Sequence, residues 1–170
     1  MTDATLRLET IDEAGEAPQT NIQIFGTLPS NDEMDACMAR IGDGFRAGKS
    51  PQLSSDGTSG VYFLRDSASD EIVSVFKPID EEPFAPNNPR DMKAPFGSET
   101  CRPGVKSGEA NLREVIAYLL DHDGFANVPA TALVETLHPS FSYSPISESQ
   151  VTSQESLDLI SGLLPLKKSD

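Results

Sequence analysis

The stretch Asp56-Gly-Thr-Ser-Gly-Val-Tyr-Phe-Leu-Arg65, followed by Ile72-Val-Ser-Val-Phe-Lys77, decides the fold that this sequence predicts. Val61–Arg65 and Ile72–Lys77 are rich in β-branched and aromatic residues, which favour strands. The polar residues 66–70 between them predict a turn. Pro78 ends the second strand because it cannot donate a hydrogen bond to a ladder. The two segments therefore predict a β-hairpin.

A short loop with two glycines, Gly57 and Gly60, precedes the hairpin, and the hydroxyl side chains of Thr58 and Ser59 lie between them. Glycine allows the backbone to approach an anion closely and to present successive N–H groups to it. Taken alone the pattern is weak, because a glycine–serine turn ahead of a strand is usually only a turn. The loop is a candidate anion site whose meaning depends on its surroundings.

Lys77 closes the second strand, and the two-residue side-chain period places it on the same face as Val73 and Val75. A lysine directed inward beside valines is costly unless its ammonium group meets an anion or a carboxylate. The commoner alternative is a lysine at a strand end that reaches solvent. Both interpretations remain open at this point.

The rest of the chain predicts two helices, further strands and a long connector. Apolar residues recur at helical spacing in Asp32–Ala47 and in Gly108–Asp121, and the second helix has the stronger apolar stripe. Thr131–Leu137 reads as a strand, and Asn21–Phe25 reads as a strand or a tethered arm. Residues 78–104 are rich in proline, glycine and asparagine and predict a long ordered connector or flap. The fold class predicted is α+β, with an antiparallel sheet packed on one long helix.

The 170 residues carry 27 acidic and 13 basic side chains, for a formal net charge of −14. This balance argues against nucleic-acid binding, which depends on excess lysine and arginine, and against adhesion to an anionic membrane by this chain alone. We expect an acidic arm at residues 1–30, a folded lobe at residues 31–139, and a disordered, serine-rich tail at residues 140–170.

The cysteines and histidines of the chain predict neither a disulfide scaffold nor a metal site. Cys37 and Cys101 are isolated, and His122 and His138 have no partner at metal-ligand spacing. The start of the chain lacks the basic and apolar segments of a signal peptide, and no apolar stretch has the length of about 20 residues that a membrane span needs. We therefore expect a cytoplasmic protein.

Several motifs in the same order give the sequence a family resemblance. Residues 57–66, then Val75-Phe-Lys-Pro-Ile-Asp-Glu-Glu-Pro83, then Asn87-Asn-Pro-Arg90, resemble the phosphatidylinositol 3/4-kinase superfamily. The resemblance continues through residues 108–122 and Val128-Pro-Ala-Thr131, so it covers residues 32–138. It is greatest to the type II-like phosphatidylinositol 4-kinases, including the plant gamma class. The resemblance implies the N-terminal lobe of a protein or lipid kinase, which is incomplete without a C-lobe.

The resemblance also implies roles for individual residues. The loop Gly57–Gly60 would bind phosphates, Lys77 would neutralise the α-phosphate region of ATP, and Glu114 would pair with Lys77. Glu109 is the alternative partner for the lysine. The residues implied in binding ATP are Gly57, Thr58, Ser59, Gly60, Val61, Val75, Lys77 and Glu114, with the two valines against the adenine.

The parts of a kinase that perform the transfer are not recognisable in the sequence. A complete kinase needs a catalytic-loop Asp and Asn and a second metal-binding Asp, and nothing after His138 resembles them. ATP and Mg²⁺ are the expected cofactors, with the metal ligands mostly outside this chain, and an inositol lipid would bind through the missing C-lobe. A full-length form would associate peripherally with membranes, and the lobe's uncovered surface would favour self-association. The alternative is a non-catalytic nucleotide- or protein-binding module derived from the lobe.

Overall fold

A computed structural model describes residues 21–24, 32–141, 146–147 and 166–167. The rest of the predicted arm and tail lies outside these residues. The elements in chain order are β1 (Asn21–Ile24), α1 (Asp32–Arg46), β2 (Gln52–Leu53), β3 (Tyr62–Arg65), β4 (Ile72–Phe76), α2 (Ala110–Leu120), β5 (Val134–Leu137), β6 (Ile146–Ser147) and β7 (Leu166–Lys167).

Strands β1–β5 form two antiparallel sheets. β2, β3 and β4 make a three-stranded sheet in that order, and β1 pairs with β5 in a second sheet. The mixture of helices and antiparallel strands confirms the predicted fold class. It differs in detail, because the strands divide between two sheets and a pair of two-residue strands, β6 and β7, is parallel.

Helix α1 joins the two sheets, since it contacts β1, β3 and β4. Its acidic first turn, with Asp32, Glu33 and Asp35, complements the positive end of the helix dipole. The hydrophobic core at this junction consists of Ile41, Phe45 and Leu64, with exposures of 2%, 7% and 2%. The helix that packs on the hairpin is thus α1, although α2 has the more apolar sequence.

In strand β4 of the hairpin the observed side-chain alternation differs from the predicted two-residue alternation. A β-bulge interrupts the pairing of β3 and β4, so that Leu64 opposes Ser74 whereas Arg65 opposes Ile72. The extra residue, Val73, packs against the core, whereas Val75 is 48% exposed. Strict alternation placed these two valines on one face, and the bulge is the physical reason that they separate.

His138 follows β5 and is buried in the core. Its ring lies 5.1 Å from that of Phe45 and 6.0 Å from that of Phe141, and its Nδ1 accepts a hydrogen bond from the Ser140 N–H. Burial lowers the pKa of His138 below its usual value. The unfolded chain therefore takes up this proton more readily than the folded one, and the resulting stability is lost as the pH falls below about 6.5.

We expect the free energy of unfolding to decline between about pH 6.5 and pH 5, and to decline less in His138→Gln, which lacks the titrating ring. Urea unfolding of both proteins across this range measures the difference. The two slopes should differ even though the variant also loses ring packing and starts from lower stability. Parallel pH profiles would show that His138 does not contribute.

Candidate functional site

A cleft of about 780 Å³ lies between α1, β4, the start of α2 and residues 128–136. Its wall includes Val75 and Lys77 from the end of the hairpin and Glu114 from α2. Among the described residues that line it, one is basic and five are acidic: Lys77, and Glu33, Asp80, Glu81, Glu114 and Glu135. Acidic side chains therefore outnumber basic ones along the cleft, whose other lining residues are mostly apolar.

Lys77 and Glu114 form an ion pair at this cleft. The lysine follows the last residue of β4, and the carboxylate lies in the first half of α2, so the pair links the hairpin to the helix. Their side chains are 44% and 48% exposed, which leaves both accessible to a ligand. Glu109, the alternative partner, instead pairs with Arg113 at 2.9 Å. The pairing implied by the resemblance is thus present.

The glycine loop connects β2 to β3, and its two glycines differ in role. Gly57 has a φ of 89°, which glycine adopts readily, and open space around it, so glycine is favoured there by backbone conformation and not by packing. Gly60 is buried, and a Cβ there would lie 2.0 Å from Glu81 Oε2. Thr58 is exposed and Ser59 is partly buried. Close packing therefore requires glycine at position 60, whatever the loop binds.

The structure does not place all the predicted site residues in one cavity. Val75, Lys77 and Glu114 line the cleft, whereas residues 57–61 do not. The loop nevertheless lies near that end of the hairpin, because Tyr62 pairs with Phe76 and both chain segments leave the sheet there. The loop and the lysine thus lie at the same end of the sheet, and only the lysine lines the cleft.

The flap after Pro78 contains buried polar residues whose importance the sequence did not reveal. Asp80 lines the cleft, and burial raises its pKa while a hydrogen bond from Asn87 opposes the shift. Burial also raises the pKa of Glu82, against three backbone N–H groups that stabilise its charge. The one available signal was the density of acidic and amide side chains in Asp80–Asn88, within an otherwise proline-rich segment.

No three side chains of metal-ligating type converge within the part of the chain that the structure describes. Nor does any helix in that part have the length and apolar character of a membrane span.

Comparison with known proteins identifies the family of the chain. A model of the family described as phosphatidylinositol 3- and 4-kinase matches residues 57–165, which is more than half of the chain. The chain belongs to this family. The match confirms the resemblance and reaches beyond His138 into the serine-rich segment.

Several individual relatives are named as gamma-class phosphatidylinositol 4-kinases of plants. Phosphatidylinositol 4-kinase gamma 4 of Arabidopsis thaliana is 46% identical over an alignment of 113 residues, with coverage of 59% of this chain and 20% of the relative. The gamma 4 protein of Oryza sativa subsp. japonica is 46% identical over 105 residues, with coverage of 56% and 19%. Arabidopsis gamma 5 is 40% identical over 124 residues, with coverage of 71% and 19%. The chain spans about a fifth of the length of these relatives.

Proposed function

We propose that this chain is the ATP-binding part of a phosphatidylinositol 4-kinase-like lipid kinase. The observation that carries the proposal is the accessible Lys77–Glu114 ion pair at a cleft beside a glycine loop. An ammonium group at the same end of the hairpin as a loop of glycines and hydroxyls suits a polyphosphate, which needs positive charge and close hydrogen-bond donors. Kinship with phosphatidylinositol 4-kinases supports the same assignment.

In the proposed complex Lys77 contacts the α-phosphate region, and Glu114 holds the lysine in place. The loop residues Thr58 and Ser59 contact the β- and γ-phosphates, between Gly57 and Gly60. Val61 and Val75 lie against the adenine, and the 48% exposure of Val75 leaves it free for such a contact. Transfer of the γ-phosphoryl group to an inositol lipid hydroxyl is proposed for a kinase in which this segment is joined to a catalytic loop.

Mg²⁺ has a specific part in this proposal because the cleft is acidic. Besides the Lys77–Glu114 pair the cleft is lined by four further acidic side chains and no further basic one, so those that are ionised would repel bare ATP, whose phosphates carry several negative charges. A divalent cation that accompanies the nucleotide reduces that repulsion. We therefore propose Mg–ATP, rather than free ATP, as the ligand.

The proposal also covers localisation and assembly. The full-length protein is cytoplasmic and associates peripherally with membranes, and the isolated lobe associates with itself.

Lys77→Met should weaken the binding of Mg–ATP to the 170-residue chain about tenfold or more. The reason is that a hydrogen bond between charged groups contributes about 1.5–3 kcal/mol. Fluorescence titration with a nucleotide analogue, followed by displacement with Mg–ATP, measures the dissociation constants. Chelation of the metal should weaken binding to the wild-type chain as well.

Lys49→Met is the matched control for this substitution. Lys49 also forms an ion pair, with Asp70 at 3.0 Å, but this pair lies at the turn of the hairpin, at the opposite end from Lys77. Its removal should leave the dissociation constant unchanged. Equal affinities of the two variants, or no binding by the wild-type chain at millimolar Mg–ATP, would refute the proposed site.

A further inference from the structure

Asn88 lies at the centre of a buried hydrogen-bond network in the flap. Its side chain is completely buried, and its Nδ2 donates to the backbone carbonyl oxygens of Thr58 at 2.8 Å, Glu81 at 3.1 Å and Glu82 at 3.1 Å. Its Oδ1 accepts from the backbone N–H of Arg90 at 2.9 Å and from that of Met92. A single amide side chain thus joins the glycine loop to two parts of the flap.

The glycine loop has further attachments to the same flap. The N–H of Gly60 donates to the carbonyl oxygen of Glu81 at 2.9 Å, and the absence of a Cβ at Gly60 leaves room for the Glu81 carboxylate. At the start of the loop the Arg90 guanidinium contacts the carbonyl oxygen of Ser54. The flap therefore holds the loop at its start, middle and end.

The neighbouring carboxylate, that of Glu82, holds helix α2. Its side chain is 6% exposed and accepts the backbone N–H groups of Gly108 at 2.7 Å and Asn111 at 3.2 Å. The Asn111 N–H, like that of Ala110, which also donates to Glu82 at 3.4 Å, is an otherwise unpaired donor of the first helical turn, where a carboxylate has favourable charge, whereas Gly108 lies just before the helix. Since α2 carries Glu114, the flap that supports the glycine loop also fixes the helix that orients Lys77.

We propose that Asn88 is a positioning residue that holds the glycine loop in a fixed relation to α2 and to the Lys77–Glu114 pair. This inference rests on the proposed function, in that the loop is taken to contact the phosphates. Asn88 itself touches no nucleotide in the proposal. By bonding the carbonyl of Thr58 it orders the adjacent backbone before the ligand arrives, so that binding does not have to order the loop.

Comparison of Asn88→Ala with Asn87→Ala in the 170-residue chain tests this proposal. Asn87 is the matched control because it is also a buried amide, 6% exposed, whose side chain donates to Asp80 at 2.8 Å. Loss of a buried hydrogen bond to the loop should raise the exchange rate of the Gly60 amide about tenfold in Asn88→Ala relative to the control. The dissociation constant of Mg–ATP should rise by a similar factor.

The two measurements separate the failure of this inference from the failure of the proposed function. Faster Gly60 exchange with weaker Mg–ATP binding in Asn88→Ala alone supports the positioning role. Equal Gly60 exchange in the two variants overturns it, whether or not nucleotide binds. Absence of Mg–ATP binding by the wild-type chain refutes the proposed function. The exchange rate of the Gly60 amide then still decides whether Asn88 positions the loop, without reference to a ligand.

Native-state exchange of the wild-type chain gives a second test if Asn88→Ala does not fold. The amides of Gly60 and Asn111 should open with the same free energy, because the flap joins loop and helix into one unit. The amide of Ala68, which donates to Asp66 at the hairpin turn, should open separately. Different opening free energies for Gly60 and Asn111 would overturn the proposal.

Discussion

Gly44→Ala should destabilise the protein by about 3 kcal/mol, and so lower its melting temperature by about 10 °C or more. Gly44 is a buried residue of α1, and a Cβ there would lie 2.2 Å from the backbone carbonyl oxygen of Arg65 in β3. The obstacle is backbone rather than a flexible side chain, so helix and hairpin would have to separate. Chemical or thermal denaturation measures the loss.

Gly42→Ala in the same helix should have the opposite effect. Gly42 lies two residues earlier, and a Cβ there would meet only the flexible Arg46 side chain, at 3.5 Å. Alanine is favoured over glycine in a helix interior by about 0.5–1 kcal/mol, so this variant should be slightly more stable than the wild type. Similar effects of the two substitutions would mean that α1 does not approach β3 as closely as described.

Gly108→Ala is the second substitution with a large expected effect, a loss of about 3–5 kcal/mol from two combined causes. Gly108 has a φ of 96°, which alanine adopts only with strain, and a Cβ would lie 2.3 Å from the Phe96 ring. Phe96 is completely buried, so the ring has little room to move. The change should also disturb the start of α2, because the Gly108 N–H donates to Glu82.

Gly104→Ala separates the two causes. Gly104 also has a positive φ, 74°, but no atom lies within 4 Å of the added Cβ. Its replacement should cost only the conformational strain, about 1–2 kcal/mol. The difference between the variants, measured by urea denaturation, then reports the collision with Phe96. Equal losses would indicate that the flap can rearrange around the ring.

The local elements of this protein could be predicted because their signals are local. Helix α1 was predicted at Asp32–Ala47 and lies at Asp32–Arg46, and the hairpin strands agree to within one residue. Apolar spacing and β-branched content act over a few residues and need no tertiary partner. The strand predicted at Thr131–Leu137 is shorter, at Val134–Leu137, and pairs with β1 rather than with the hairpin.

The roles of individual glycines could not be predicted from the sequence. From the sequence, Gly42 and Gly44 both weaken the second half of α1, and nothing distinguishes them. The structure assigns Gly44 to the contact with β3 and leaves Gly42 without such a role. The sequence likewise identifies Gly60 only as a loop glycine, whereas the structure shows that its close packing against Glu81 leaves no room for a side chain.

Sequence by itself determined the family, the local elements and the chemistry available: a loop of glycines and hydroxyls, one lysine after a strand, and carboxylates on a helix. Tertiary structure alone decided that Glu114 rather than Glu109 pairs with Lys77, that the bulge turns Val73 into the core, and that Asn88 donates a hydrogen bond to the loop. The reason is that these depend on contacts between residues far apart in the chain. Thr58 and Asn88 are separated by 30 positions, and Lys77 and Glu114 by 37. A local sequence pattern cannot show which of these distant residues come into contact, because the packing of the whole chain around a shared core determines those contacts.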